Sequence, residues 1–306
     1  MDSLSVGHWV LLGIFIAIVA TTLAVTYFIE EPEDMDQFEK EAYQLTRSDS
    51  SALLKREKDF YVIAHRGAKS DYPENTMPAF KAAHRVGADM IELDVQLSKD
   101  GIPVVFHDKK LARTTNGKGK VSAFSLEELK KLDAGSWFAK QFTDVRIPTL
   151  EEVLQWSRDK IPLNIELKAQ PEMAALPGGL EEKCINLVKK YAMEGQVLFS
   201  SFNYESIRHI RNLNPGLNTG VLYNWRKSGD LLPSELVARF GVNTFHCSKD
   251  KLNERWVQNL TDHNIPLLVY TVNRKRTMKR IYRQGARGII SDKPALLKQV
   301  TDSLSR

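Results

Sequence analysis

The chain has 306 residues, 42% of them hydrophobic and 26% charged, a composition that excludes bulk disorder and allows one large domain of barrel size. Its two cysteines, Cys184 and Cys247, are too far apart in sequence for a zinc or redox motif and read as core residues. The formal net charge is +5, with no nucleic-acid motif beside it, so no nucleic-acid partner is expected.

From Trp9 to Ile29 the chain runs 21 positions without a charge, long enough to cross a bilayer as a helix. Trp9 and Tyr27 stand near its ends, where interfacial aromatics collect. No Lys or Arg precedes the run and it is long for a signal-peptide core, which favours an uncleaved single-pass membrane anchor over residues 1–29. Lys40 and Arg47, the basic residues nearest behind it, lean towards a cytoplasmic body. Residues 30–59 read as a juxtamembrane linker. Residues 1–50 hold nine acidic and two basic residues, leaving 41 basic and 29 acidic in residues 51–306. An acidic tether therefore carries a basic body, which suits anionic substrates or an anionic membrane surface.

The body, residues 60–300, alternates strand, loop and helix. FYVIAH (60–65) is the first strand, ending at His65. Asn75 then reads as the N-cap of the helical TMPAFKAAHRVG, which makes it only a weaker site candidate. MIELDVQL and IPVVFH flank Asp100-Gly101, a hairpin signal. With those two residues as the loop, Asp94 faces His107 and Glu92 shares their side of the ribbon. An insertion of about residues 108–147 follows, with a short helix capped by Ser125 and Glu128. Thr149 and Glu152 then form a second capping box. Strand-like runs return at LNIELK, QVLFSSF, TGVLYN, NTFHCS, LLVYTV and RGIIS, with helices between. Nine runs in all, one of them the hairpin return, give an α/β fold: a (β/α)8 TIM barrel with a small insertion after the third run, plus the N-terminal transmembrane helix. Near the end, Arg274 to Arg283 holds six basic residues in ten, most simply a solvated helix face, with a membrane-facing patch as the alternative.

Barrel chemistry gathers at the C-terminal ends of strands, and His65, Glu92, Asp94, Glu166 and Lys168 fall there, with His107 reaching the same rim through the hairpin. Glu92, Asp94 and Glu166 offer only oxygen ligands, which fits Ca²⁺ or Mg²⁺ better than zinc. His65 and His107 form a candidate acid/base pair, since imidazole titrates near neutrality. Arg66 and Lys168 are candidates for holding phosphate oxygens. Tyr270 and Asp292 are weaker candidates, and His84, His209, His246 and His263 are expected to be noncatalytic.

The sequence resembles the glycerophosphodiester phosphodiesterases, a family of phospholipase-C-like barrels, from about Phe60 to Val300. The resemblance rests on His65-Arg66-Gly67, Pro73-Glu74-Asn75-Thr76, Glu92-Leu93-Asp94-Val95, Asp100-Gly101, Val105-Phe106-His107-Asp108, Glu166-Leu167-Lys168 and Gly288-Ile289-Ile290-Ser291-Asp292 in that order. The inserted segment, from RTTNGKG through LDAGSWF to RIPTLEEVL, also resembles the family's. It implies metal ligation by Glu92, Asp94 and Glu166, and metal-dependent hydrolysis of glycerophosphodiesters to glycerol 3-phosphate and an alcohol. Two positions depart from the family's usual pattern: Tyr270 stands in place of Trp, and Ser291 in place of Thr. Both bear on pocket shape rather than on the reaction. The anchor and basic body favour a second expectation, a lysophospholipase D that takes lysophospholipid substrates from the membrane.

Overall fold

The computed structural model describes residues 53–54, 58–168, 170 and 178–305. The expected membrane span and nearly all of the linker lie outside the described residues. Among the described residues no helix is long and apolar enough to cross a membrane.

The strands are β1 (Tyr61–His65), β2 (Met90–Leu97), β3 (Pro103–Val105), β4 (Leu163–Leu167), β5 (Val197–Ser201), β6 (Asn218–Leu222), β7 (Thr244–Ser248), β8 (Leu267–Tyr270) and β9 (Gly288–Ser291). In chain order the helices are α1 (Met77–Arg85), α2 (Leu126–Lys130), α3 (Leu150–Ser157), α4 (Leu180–Lys190), α5 (Tyr204–Leu213), α6 (Trp225–Ser228), α7 (Pro233–Phe240), α8 (Glu254–Asp262), α9 (Lys275–Arg283) and α10 (Pro294–Asp302). The sheet order is β1-β9-β8-β7-β6-β5-β4-β2-β3, and β1 also pairs with β2, which closes eight parallel strands into a barrel. The extra strand, β3, runs antiparallel to β2, as expected for the return arm.

Both faces of each barrel strand are covered, and alternate residues serve different layers. On β2, Ile91, Leu93 and Val95 join the large cluster between sheet and helices, while Met90 joins a second cluster with Tyr61, Ile63, Leu198, Leu268 and Ile290. Glu92 and Asp94 continue the inward series of Met90 toward the C-terminal end. Leu53 and Leu54, in the segment read as linker, are buried in that second cluster. Cys184 and Cys247 are buried free thiols, as expected. Both expected capping boxes are present, at Ser125/Glu128 and Thr149/Glu152. The segment between β3 and α3 has a small core of its own, with Val104, Leu111, Val121, Leu129 and Ile147.

Two local expectations need correction. The helix α1 is capped by Thr76, whose side chain accepts from the Ala79 amide, not by Asn75. The hairpin register also differs by one residue: Val95 pairs with Val105 and Leu97 with Pro103. Its loop has three residues, Lys99 to Gly101, closed by Ser98 N–H donating to the Ile102 carbonyl at 3.0 Å. Gly101 has φ +76°, the left-handed position that such a loop requires. Asp100 accepts from Ser98 Oγ at 2.5 Å and from the Leu126 amide at 3.1 Å, so its carboxylate serves the start of α2 as well as the turn. Asp94 therefore lies opposite Phe106, whose amide donates to the Asp94 carbonyl, and His107 enters the mouth one residue further on.

Candidate active site

At the C-terminal mouth a cavity of about 200 Å³ is lined by His65, Arg66, Glu92, His107, Glu166 and Lys168 on its polar side. Phe202, Leu222, Tyr270 and Ile290 make its apolar wall. Parallel pairing sets the carboxylates side by side, with Glu92 level with His65 on β1 and Asp94 level with Glu166 on β4. One oxygen from each of Glu92, Asp94 and Glu166 lies within 4.8 Å of the others, spacing that could hold a metal ion.

Electrostatics favour a cation there. Burial, then the charges of Asp94 and Glu166, push the Glu92 pKa well up, and burial with Asp94 raises that of Glu166. Asp94 is fully buried, and burial opposes its ionisation, but Arg66 and Lys168 hold its pKa below the usual range. Its Oδ1 has no hydrogen-bond partner, although Lys168 Nζ lies 3.4 Å away. Lys168 Nζ is also 2.7 Å from Glu166 Oε1. A buried carboxylate oxygen with an open lone pair, beside two acids destabilised by mutual repulsion, fits an oxygen-coordinated divalent ion.

The loop after β1 is strained where it meets this cluster. Arg66 has φ +55°, and its amide donates both to the Glu92 carbonyl at 2.8 Å and to Glu92 Oε2 at 3.1 Å. Gly67 follows at φ +85°, and a Cβ there would come within 2.7 Å of the Ala79 backbone. The chain thus passes tightly over α1 and turns the Arg66 side chain towards the carboxylates. Arg66 Nε sits 3.2 Å from Asp94 Oδ2 as a charge contact, while Nη1 donates to Glu74 Oε1 at 2.8 Å. Asn75 belongs to the site after all: its Nδ2 donates to Asp94 Oδ2 at 2.8 Å.

Each histidine is held at Nδ1 by its own carboxylate, leaving Nε2 as the available ring nitrogen. His65 Nδ1 is 2.5 Å from Asp292 Oδ1, and His107 Nδ1 is 2.6 Å from Asp108 Oδ1. Burial lowers the pKa of both imidazoles, partly opposed by Asp292 for His65 and by Asp94 for His107. Burial resists the charge on Asp292, yet His65, Lys69 and Asn273 bring its pKa down to about 2. Asn273 Nδ2 donates to Asp292 Oδ2 at 2.6 Å, fixing the carboxylate from its far side. His84, His209 and His263 are exposed, and His246 is buried outside the cavity lining, with Nε2 2.8 Å from Thr244 Oγ1.

Three participants were not singled out from sequence. Arg113, in the insertion, grips Glu74 through Nη1 and Nη2 at 3.0 and 2.7 Å, and Asp108 through Nε at 2.6 Å. Glu74 is buried, yet Arg113 and Arg66 together hold its pKa at about 2. One guanidinium therefore links the carboxylate behind His107 to the carboxylate behind Arg66. Glu74, Asp108 and Arg113 all fall inside matched motifs, which was the available signal. Phe202 also went unmarked; its ring meets that of Tyr270 edge-on, with centroids 6.1 Å apart.

A (β/α)8 barrel that gathers two carboxylate-held imidazoles, a three-carboxylate cluster with two buried members and two cationic side chains at one mouth has the make-up of a phosphoryl-transfer hydrolase. Comparison with known proteins narrows this. The model of the glycerophosphoryl diester phosphodiesterase family matches residues 65–296, and the chain belongs to that family. A glycerophosphodiester phosphodiesterase of Caldanaerobacter subterraneus subsp. tengcongensis is 44% identical over 237 residues, covering 77% of this chain and 95% of the relative. One from Bacillus subtilis is 35% identical, covering 78% of this chain and 85% of the relative. The solved structure of an Oleispira antarctica phosphodiesterase in complex with the product sn-glycerol-3-phosphate is 30% identical, with TM-score 0.68, over 78% of this chain and 96% of that one.

Proposed function

We propose that this chain hydrolyses glycerophosphodiesters to glycerol 3-phosphate and an alcohol, with a divalent cation, Ca²⁺ or Mg²⁺, held by Glu92, Asp94 and Glu166. The observation that carries the reading is the pair of imidazoles, each fixed at Nδ1 by a carboxylate and both lining the cavity that Glu92 and Glu166 also line. The family relationship and the product named for the Oleispira antarctica neighbour support the substrate class. Glu92, Asp94 and Glu166 would hold the ion, which would supply positive charge against the phosphate and lower the pKa of an oxygen nucleophile.

The chain's own residues do the rest. Arg66 and Lys168 line the cavity as fixed positive charges for the non-bridging phosphate oxygens. Attack requires one base, and departure of the alkoxide requires one acid; His65 and His107 supply both. Burial lowers the pKa of both rings, which favours the neutral form that a base needs, and the negative charge of a bound phosphodiester would raise it in the ring that serves as acid. Either water or the glycerol 2-hydroxyl can be the nucleophile on this arrangement. Solvent-oxygen incorporation against trapping of a cyclic phosphate separates the two routes.

A second reading, a lysophospholipase D, is favoured by the apolar wall of Phe202, Leu222, Tyr270 and Ile290, which suits a substrate bearing an acyl chain. Residues 1–29 would anchor such an enzyme in the membrane with residues 30–59 as its linker, the body on the cytoplasmic side. The deciding assay gives the full chain glycerophosphocholine, glycerophosphoethanolamine and lysophosphatidylcholine, each with chelator and with Ca²⁺ or Mg²⁺ restored. Glycerol 3-phosphate from the first two, lost on chelation and regained with the ion, is the expected result. Release of lysophosphatidic acid alone would favour the second reading, and no turnover of any substrate with either ion would remove both.

A further inference from the structure

The chemistry uses only part of the barrel mouth. His65 and Arg66, Glu92 and Asp94, Glu166 and Lys168, and Asp292 come from β1, β2, β4 and β9, which are contiguous in the closed sheet. The other four strands, β5 to β8, are also contiguous, and their C-terminal loops have a different make-up. Phe202 follows β5 and is 36% exposed; Trp225 follows β6 and, at 61%, is the most exposed large apolar side chain among the described residues. Exposed basic residues surround them: Arg226 and Lys227 after β6, Lys251 after β7, and Arg274, Lys275 and Arg276 after β8. Among the described residues none of these six is ion-paired with a carboxylate. Of the exposed acids in the same arc, Asp250 is taken by Lys249 at 2.6 Å, Glu205 by Arg208 at 3.2 Å and Glu235 by the Leu232 amide, which leaves Asp230 and Glu254.

The tryptophan is held outward by an ordered turn. The Asn224 amide donates to the buried Tyr204 hydroxyl at 3.0 Å, and Asn224 Oδ1 accepts from the Arg226 amide at 3.1 Å. The Tyr204 hydroxyl also meets Ser228 Oγ at 2.8 Å, which ties down the other end of α6. The Arg226 guanidinium lies over the Trp225 ring, 5.1 Å from its centroid. An outward indole flanked by cations that meet aromatic rings, Arg226 on Trp225 and Lys227 on Tyr204, but no carboxylate is the chemistry of an interfacial anchor on anionic lipid. Its position also matters: Trp225 stands three residues beyond Leu222, which lines the catalytic cavity together with Phe202.

We propose that the β5–β8 half of the mouth docks on an anionic bilayer surface, with Trp225 entering the headgroup region, so that the catalytic cavity opens onto the lipid. This rests on the phosphodiesterase reading only for the identity of the molecule that is presented; the docking itself does not require turnover.

The test uses the full chain reconstituted in phosphatidylcholine vesicles with and without phosphatidylglycerol, doped with brominated lipid. The chain has five tryptophans, so the signal of Trp225 is taken as the difference between wild type and Trp225→Phe. Quenching of that difference signal in the anionic vesicles is expected. Trp225 left unquenched in both kinds of vesicle overturns the proposal whether or not the enzyme turns over. In the same vesicles, Trp225→Ala with Arg226→Glu and Lys227→Glu is expected to lower lysophosphatidylcholine hydrolysis about tenfold while soluble glycerophosphocholine turnover stays within about twofold. Equal losses on both substrates would mean a damaged barrel and count against docking. Absence of turnover with intact quenching would remove the phosphodiesterase reading and keep the docking surface.

Discussion

At the scale of single residues, the arrangement behind the histidines makes strong demands. His65→Ala or His107→Ala is expected to lower kcat by about 10²–10⁴-fold with little change in fold, checked by steady-state kinetics beside a thermal melt. Arg113 reaches neither histidine ring, yet it grips both Asp108 and Glu74. Arg113→Ala should therefore act through kcat rather than KM, by about tenfold or more, and shift the pH–rate profile, because Asp108, which orients His107, loses its own anchor. Arg113→Lys should recover only part of the loss, since an ammonium cannot grip two carboxylates in a planar fork. A loss in KM alone would show that Arg113 binds substrate instead.

At the scale of elements, the loop from β1 into α1 carries the tightest steric condition in the site. Gly67→Ala would place a methyl group within 2.7 Å of the Ala79 backbone in a conformation that also disfavours any side chain. The expected result is a loss of stability of about 2 kcal/mol together with loss of activity, because Arg66 moves with the loop. Chemical denaturation and kinetics on one preparation would check it; full activity would show that the loop yields freely. Gly101 is a contrasting case. The Asp-Gly pair announced a hairpin correctly, but the loop length depended on Ser98 closing onto Ile102 and on Asp100 meeting the amide of Leu126. The Leu126 contact lies outside the hairpin, so the register of the ribbon alone could not supply it.

At the scale of the whole molecule, a buried histidine makes stability fall with acid, against the opposite pull of Glu92 and Glu166, whose raised pKa values favour the folded state as pH drops. His246 is fully buried, and burial pushes its pKa from 6.5 down to about 3. Between those values the unfolded chain binds a proton that the folded chain refuses, so stability is full above pH 6.5 and falls as pH drops, by about 1.4 kcal/mol per unit. Glu74 and Asp292, both held near 2, add to the loss at lower pH, where the unfolded carboxylates protonate first. Urea unfolding at pH 7, 6, 5 and 4 should show this slope in the difference between wild type and His246→Asn, which shares every other titrating group. Leu53 and Leu54 also belong to the folded body, since both are buried in the cluster inside the barrel. Truncating either to Ala is expected to cost about 2 kcal/mol, seen as a lower thermal midpoint.

The sequence by itself determined the strand and helix alternation, the closed eight-strand barrel with its antiparallel return arm, and which polar residues end the strands. These features are local: apolar runs, turn residues and motif spacing are written along the chain, and parallel strands bring their C-terminal ends to one rim. Only the tertiary structure decided who holds whom. Asp292 reaches His65 across 227 positions and Arg113 reaches Glu74 across 39, contacts that no local period encodes. It likewise moved Asn75 from a helix cap to a hydrogen bond on Asp94, because Asn75 takes φ +55° with its backbone N–H on the Arg66 carbonyl, which leaves the extended cap position to Thr76.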